Sequence, residues 1–291
     1  MTSYAYFPGC ASEGSGREFA DTMEVVFHAL DHELTEIPDW NCCGASSAHS
    51  VSSFLSLALP GRDLAKAEEM GLDVVAPCAA CYNRLATAAL ELPGQREMNG
   101  EELPEFHGNI KVVHPLRLLS SPESMAMVAS KLKRTLNGLR VVAYYGCLTV
   151  RPSKVTGVSG KELENPMMMD KVLELLGAEV IDWPHKTSCC GAAQTLPKPL
   201  LAQNLTLEIV DNALALEAEA IVTGCPLCFL NLELQQIQAK ANGQRDQAHI
   251  PVFYISELMA LCLEIGDLKY AFKNHLIPVD GPLVSRELSW R

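Results

Sequence analysis

"WNCCGA" occupies residues 40–45, and "SCCGA" returns at residues 188–192. Two neighbouring cysteines cannot easily bridge each other, because a disulfide wants its Cα atoms further apart than adjacent residues allow. They are equally awkward as joint ligands of one metal ion. The purpose of the doubled Cys-Cys-Gly must therefore be sought in the other cysteines. These are Cys10, Cys78, Cys81, Cys147, Cys225, Cys228 and Cys262. The first ten cysteines of the chain form two sets with the same grammar: Cys, then Cys-Cys-Gly, then Cys-x-x-Cys. Cys43 to Cys78 is 35 positions, as is Cys190 to Cys225. The first gap is 32 positions in one copy (Cys10 to Cys42) and 42 in the other (Cys147 to Cys189), an insertion of ten.

The flanks repeat as well. "YAYFPGC" (4–10) matches "VAYYGC" (142–147), and "DVVAPCAACY" (73–82) matches "AIVTGCPLCF" (220–229). "IKVVHPLRLL" (110–119) resembles "IPVFYISELM" (250–259). Internal repetition decides the organisation. It predicts two homologous modules at 1–120 and 140–262, a connecting helix at 121–139 ending near Gly138, and a C-terminal extension at 263–291. Short β-branched or aromatic runs lead straight into cysteines: "YAYF", "LDVVA", "RVVAYY" and "AIVT". These read as buried strands. "SGREFADTMEVVFHALDHEL" (15–34) places Phe19, Met23, Phe27 and Leu30 on one helical face, with Ser15 as N-cap. "NPMMMDKVLELLGAEV" (165–180) has Asn165 as cap, Pro166 at the first helical position and Gly177 past the end. Strands alternating with helices predict an α/β fold with mainly parallel sheets flanked by helices, the modules related by a pseudo-two-fold. Cysteines at the carboxyl ends of strands lie where open α/β sheets keep their sites.

The 291-residue chain is acidic, with 35 Asp and Glu against 23 Lys and Arg. It lacks the basic footprint that nucleic-acid binding needs. No apolar run nears the roughly 18 residues of a membrane span. The N-terminus shows no secretory signal, so a cytoplasmic location is expected. In a reducing cytosol, eleven cysteines argue for metal or redox chemistry over structural disulfides.

Five thiols per module exceed the four of a zinc site or of one cubane iron–sulfur cluster. A multi-iron centre explains the fifth, since adjacent cysteines can reach different irons. Gly44 and Gly191 would then adopt positive φ and let backbone N–H groups approach sulfur.

The doubled pattern resembles the cysteine-rich CCG-domain family. The two-copy chain of this length is similar to the B-type component of heterodisulfide reductases and their sulfur-oxidising relatives. All ten motif cysteines match, over roughly residues 3–262. The resemblance implies two noncubane [4Fe-4S] clusters: one on Cys10, Cys42, Cys43, Cys78 and Cys81, the other on Cys147, Cys189, Cys190, Cys225 and Cys228. It implies two-electron disulfide or thiol chemistry at those clusters, with the second set meeting substrate. It also implies an iron–sulfur C-type partner, a flavoprotein A-type partner, and a disulfide or thiol substrate such as a lipoyl-type carrier. Methanogenic members carry His directly after the equivalent of Cys147. Leu148 stands here, which puts the coenzyme M–coenzyme B heterodisulfide in doubt as substrate. No G-x-G-x-x-G follows a strand, so electrons must be exchanged with a partner.

Other readings stay open: an electron-transfer module without its own substrate, a thioredoxin-like dithiol enzyme at Cys78–Cys81 or Cys225–Cys228, and a zinc-stabilised interaction protein. Among single residues, Cys262 in "SELMALCLEIG" reads as a core cysteine on a helix capped by Ser256. His114 reads as a helix cap, His185 as a loop histidine, Tyr144 and Tyr145 as strand packing, and Arg151 and Lys154 as solvated cations. "PMMM" (166–169) reads as helix core and "GQREMNGEELPE" (94–105) as a solvated loop. The tail "LVSRELSWR" (283–291) is a candidate docking segment.

Overall fold

The computed structural model describes residues 1–45, 47–243 and 249–288. The first module runs β1 (Thr2–Tyr6), α1 (Gly9–Ser12), α2 (Arg17–Ala29), β2 (His32–Glu36), α3 (Ala48–Val51), α4 (Ser53–Met70), β3 (Val74–Val75), α5 (Ala79–Glu91), β4 (Glu97–Met98), β5 (Glu101–Glu102), β6 (Val112–Val113) and α6 (Pro115–Leu119). After α7 (Pro122–Lys131) the second module repeats it: β7 (Arg140–Tyr144), α8 (Ser153–Thr156), α9 (Met168–Leu175), β8 (Glu179–Val180), α10 (Pro199–Ala215), β9 (Ala220–Thr223), α11 (Pro226–Ala241), β10 (Val252–Tyr254) and α12 (Ile255–Leu263). The extension adds α13 (Leu268–Lys273) and α14 (Asp280–Ser285).

Each module holds a four-stranded sheet, β2-β1-β3-β6 and β8-β7-β9-β10, and every pairing within them is parallel. The central strands β7 and β9 are almost wholly buried and apolar, as strands covered by helices on both faces must be. In both sheets the strand order reverses between the first and third strands. Ligands of open α/β sheets sit at that switch point, beyond the strand carboxyl ends. Cys10 and Cys78 follow β1 and β3, and Cys147 and Cys225 follow β7 and β9.

The pseudo-two-fold is visible in the packing between modules. Helix α2 packs on α12, and its counterpart α9 packs on α6; α1 meets α11 as α8 meets α5. At the first crossing the hydroxyls of Thr22 and Ser256 are 2.7 Å apart and buried. Asn83 of α5 donates to the Arg151 carbonyl at 2.9 Å.

Several local expectations are corrected. The connecting helix stops at Lys131, capped by Ser121 at its start. Beyond it Lys133 N–H bonds the Cys262 carbonyl of α12 and Leu136 N–H the Leu176 carbonyl at the end of α9, tying the linker to two helices of the second module. Gly16, not Ser15, is the N-cap of α2, whose buried face carries Phe19, Met23 and Phe27 as expected. Helix α9 starts at Met168 rather than after Asn165, because the Asn165 amide oxygen is taken by Lys186 Nζ at 2.6 Å. Of the methionine run, Met169 is fully buried while Met167 is 38% exposed. Tyr254 caps α12, not Ser256, with the Glu257 carboxylate receiving the Tyr254 N–H at 2.8 Å. His114 does cap α6, through Nδ1. The 94–105 stretch contains the β4–β5 antiparallel hairpin, turning on Asn99 and Gly100 at positive φ, the signature of a tight two-residue turn. The described part of the tail folds back on the second module, with Leu283 and Leu288 buried and Arg286 paired to Glu219; Ser289–Arg291 lie outside the described residues.

Candidate metal centre

The ten motif cysteines converge as two sets. Within the first, the sulfurs of Cys43 and Cys81 are 3.2 Å apart; within the second, those of Cys190 and Cys228 are 3.8 Å apart. Burial raises the Cys10 thiol and so does Cys42; Cys147 and Cys189 shift each other, and so do the members of each Cys-x-x-Cys pair, as close neighbours do. The two sets meet: Cys78 and Cys225 lie close enough across the module boundary to shift each other's protonation. Each set runs from that buried seam outward, to exposed Cys10 and Cys42 in one module and to exposed Cys189 and half-buried Cys147 in the other. No disulfide joins any of them.

The backbone is shaped around sulfur. Gly44 and Gly191 have φ of 75° and 82°, as expected, and the N–H of each reaches the sulfur two residues earlier at 3.4 Å. Gly191 has a second reason to lack a side chain, since a Cβ there would lie 2.8 Å from the Ala202 Cα. Gly146 also has positive φ, and a Cβ would stand 2.9 Å from Cys228 Sγ. Gly146→Ala should therefore displace that sulfur and lower the metal content of the second set, measured against wild type by metal analysis of oxygen-free protein. Cys78 and Cys225 are the N-caps of α5 and α11, so thiolates there face positive helix ends.

Protonation is mutually dependent. Hydrogen bonding from Cys147 holds Cys189 down to about 6 against the cost of burial, helped by the Gly191 N–H. Cys43 and Cys190 are lowered by Cys81 and Cys228, which are themselves raised. Each low thiol thus needs a protonated neighbour. All five can be thiolates together only around a strong positive charge, which is the donor chemistry of a metal centre.

Buried polar groups fix the loops. Asn231 and Thr206 donate to the Cys190 carbonyl at 2.7 and 2.9 Å. Asp63 accepts the Asn41 N–H at 2.8 Å beside Cys42, and burial raises its carboxyl to about 7. Tyr144 donates to the Ser188 carbonyl at 2.7 Å, beside the Cys189 loop, and Tyr145 donates to Asp170 of α9 at 2.6 Å, so both tyrosines make tethers besides packing the strand. His185 turns away, bonding Ser188 at 3.1 Å and lining the groove along α10. Arg151 bonds the Thr187 carbonyl and Lys154 pairs with Glu91. Cys262 is fully buried, its thiol pushed up to about 12 by desolvation, as a core cysteine should be.

The CCG cysteine-rich domain model matches residues 4–86 and 141–233, more than half of the chain. The chain belongs to the CCG cysteine-rich domain family. The chain is 31% identical over 279 residues to an 8-methylmenaquinol:fumarate reductase membrane anchor subunit of Wolinella succinogenes, covering 94% of this chain and 96% of that one. The B-type component of a CoB-CoM heterodisulfide reductase of Methanosarcina acetivorans is 28% identical over 291 residues, covering 94% and 95%. A protein of Archaeoglobus profundus that is likewise like the heterodisulfide reductase B-type component is 27% identical over 281 residues, covering 93% and 94%. A hypothetical protein from Helicobacter pylori shares the fold, with a TM-score of 0.73 at 11% identity; the match covers 96% of this chain and about half (52%) of that one. No helix among the described residues is long and apolar enough to cross a membrane.

The spacing of the cysteines could not reveal a second polar cluster. His275 of the extension lies between two fully buried carboxylates, with Nε2 2.9 Å from Glu257 and Nδ1 3.5 Å from Glu233. Burial alone would lower its pKa, but Glu257 and Glu233 raise it from 6.5 to about 10. The folded state therefore holds this proton more tightly than the unfolded one. Its stabilising contribution is complete below about pH 6.5 and is lost as pH rises through about 10. Thermal melts across that window should show Tm falling more steeply for wild type than for His275→Gln.

Proposed function

We propose that the chain is the iron–sulfur subunit of a heterodisulfide-reductase-like complex. In this reading Cys10, Cys42, Cys43, Cys78 and Cys81 hold one noncubane [4Fe-4S] cluster, and Cys147, Cys189, Cys190, Cys225 and Cys228 hold the other. The observation that carries it is the meeting of two five-thiol sets at Cys78 and Cys225. Cleaving a disulfide takes two electrons, and two adjoining one-electron centres match that need. Such a cluster, when bound, would supply one-electron redox capacity and iron with affinity for a thiolate. The chain contributes the rest: N–H groups of Gly44 and Gly191 directed at sulfur, helix N-termini behind Cys78 and Cys225, and a seam closed to water.

The second module is the substrate side. Its Cys-Cys-Gly loop leads into exposed Leu196, Leu200 and Leu201, and Leu227 is exposed between Cys225 and Cys228. This apolar rim suits the hydrocarbon arm of a lipoyl-type thiol carrier. Electrons are exchanged through an iron–sulfur C-type partner and a flavoprotein A-type partner, in the cytoplasm. A thioredoxin-like mechanism fits poorly, because all four Cys-x-x-Cys thiols are buried. A single zinc per module also fits poorly, because a tetrahedral zinc site takes four ligands and leaves the fifth thiol of each set without a role.

The Wolinella relative favours a second reading, in which the chain passes electrons within a respiratory complex and has no disulfide substrate. Electron paramagnetic resonance of oxidised, iron-loaded protein separates the two. A signal that changes on adding candidate thiols supports the first reading, and an unresponsive signal supports the second.

A further inference from the structure

His114 follows β6 and caps α6 through Nδ1, which accepts the Leu116 N–H at 3.3 Å. With Nδ1 accepting, the proton of the neutral ring is on Nε2, and that nitrogen can only donate. The Nε2–H has no acceptor among the described residues, although His114 is 2% exposed. A buried donor left unpaired is costly, so the ring is suited to an acceptor that the polypeptide does not supply. Helix capping explains Nδ1 and leaves Nε2 unexplained.

The fold sets this ring at the seam between the cysteine sets. Val75 and Val113 are partners in the β3–β6 register, so His114 stands level with Ala76, two residues before Cys78. The ring meets Tyr82, the neighbour of Cys81, edge-on at 5.3 Å. From the other module Gly224 packs on Leu116, so closely that a Cβ there would lie 3.4 Å from the Leu116 side chain, and Cys225 follows directly. Burial pushes the His114 imidazole down to about 4 and the charge of Cys225 draws it back up, so the two are within electrostatic reach. The repeat adds an independent observation. Tyr254 is the counterpart of His114, and its hydroxyl is also buried, unpartnered among the described residues and subject to the Cys225 charge.

We propose that His114 of the first module is a positioning residue for the second cluster: its Nε2–H donates a hydrogen bond to the Cys225 sulfur in the loaded protein and holds that cluster's potential up. The inference rests on the cluster reading above. Each electron taken up adds negative charge to the sulfurs, and a hydrogen bond to sulfur stabilises that charge. An electron entering the chain is thereby drawn toward the second set, the side assigned to substrate, by a residue of the other module.

Potentiometric titration of oxygen-free holoprotein, followed by electron paramagnetic resonance, tests this without substrate. Iron content is measured on every sample, and the signal that survives in Cys225→Ala identifies the first cluster. His114→Asn keeps an oxygen where Nδ1 caps α6 and has nothing at the Nε2 position. The one-electron equilibrium of the second cluster should then shift about tenfold toward the oxidised form, a fall of about 59 mV, while the first cluster moves far less. His114→Gln brings an amide N–H to the Nε2 position and should recover most of the shift. Wild type labelled with heavy nitrogen at histidine should show a histidine nitrogen coupled to the unpaired electron of the second cluster, and His114→Asn should lose that coupling. A purely structural cap predicts the same potentials in wild type and His114→Asn. Unchanged potentials, equal shifts in both variants, a larger shift at the first cluster, or iron-loaded wild type without the nitrogen coupling overturns the role of His114 and leaves the cluster reading standing. Wild type without iron overturns both.

Discussion

Cys225→Ala protein, purified without oxygen, is expected to carry about half the iron of wild type. Cys225 lies buried where the two sets meet, and Cys228, Cys78 and the N–H of Ala79 all lower its thiol pKa. The backbone there is fixed, because α11 starts at Cys225 and Gly224 packs against Leu116 of the other module. Losing it leaves four thiols for a centre to which the proposed assignment gives five. The first set keeps all of its own cysteines but loses its neighbour at Cys78, so its paramagnetic signal should persist with altered shape. Cys262→Ala is the control. It deletes a buried sulfur remote from both sets and should cost about 1–3 kcal/mol of stability with no loss of iron. Full iron in Cys225→Ala would contradict the ligand assignment.

The second large effect is on stability. Lys186 is 1% exposed, and its ammonium is held by Asp170 at 2.7 Å and by Asn165 at 2.6 Å. Asp170 is equally buried and also accepts from Tyr145. The Lys186 carbonyl in turn accepts from Tyr145 N–H and Gly146 N–H, immediately before Cys147. Lys186→Met would keep most of the volume but strand the Asp170 carboxylate, which should cost about 3–5 kcal/mol. Chemical denaturation should report the loss. The double replacement Lys186→Met with Asp170→Leu should recover much of it, because no buried charge then remains unpaired. A single variant as stable as wild type would show that the pair does not hold the Cys147 loop.

The doubled cysteine grammar carried the architecture because it marks the ends of strands. Each copy predicts a strand before Cys10, Cys78, Cys147 and Cys225, and a strand stands at each. Edge strands β2 and β8 were not legible, since "HELTE" and "EV" are exposed and polar, without the apolar run that marks a covered strand. Helix starts went astray where a cap residue had a better partner: Asn165 is claimed by Lys186, and Ser256 by Thr22 across the module boundary. The same limit hid the supporting groups. Lys186 and Asp170, or His275 with Glu233 and Glu257, are ordinary charges in sequence, and only the fold makes them buried neighbours. The cysteines themselves were legible because their spacing repeats. That Cys78 meets Cys225 was not, since it depends on how the modules pack.

The central claim is that the ten motif cysteines hold two multi-iron clusters. Iron and acid-labile sulfide analysis of protein isolated without oxygen tests it most directly. The account predicts about eight irons and about eight sulfides per chain. Zinc in their place, or no metal after oxygen-free isolation, would contradict it.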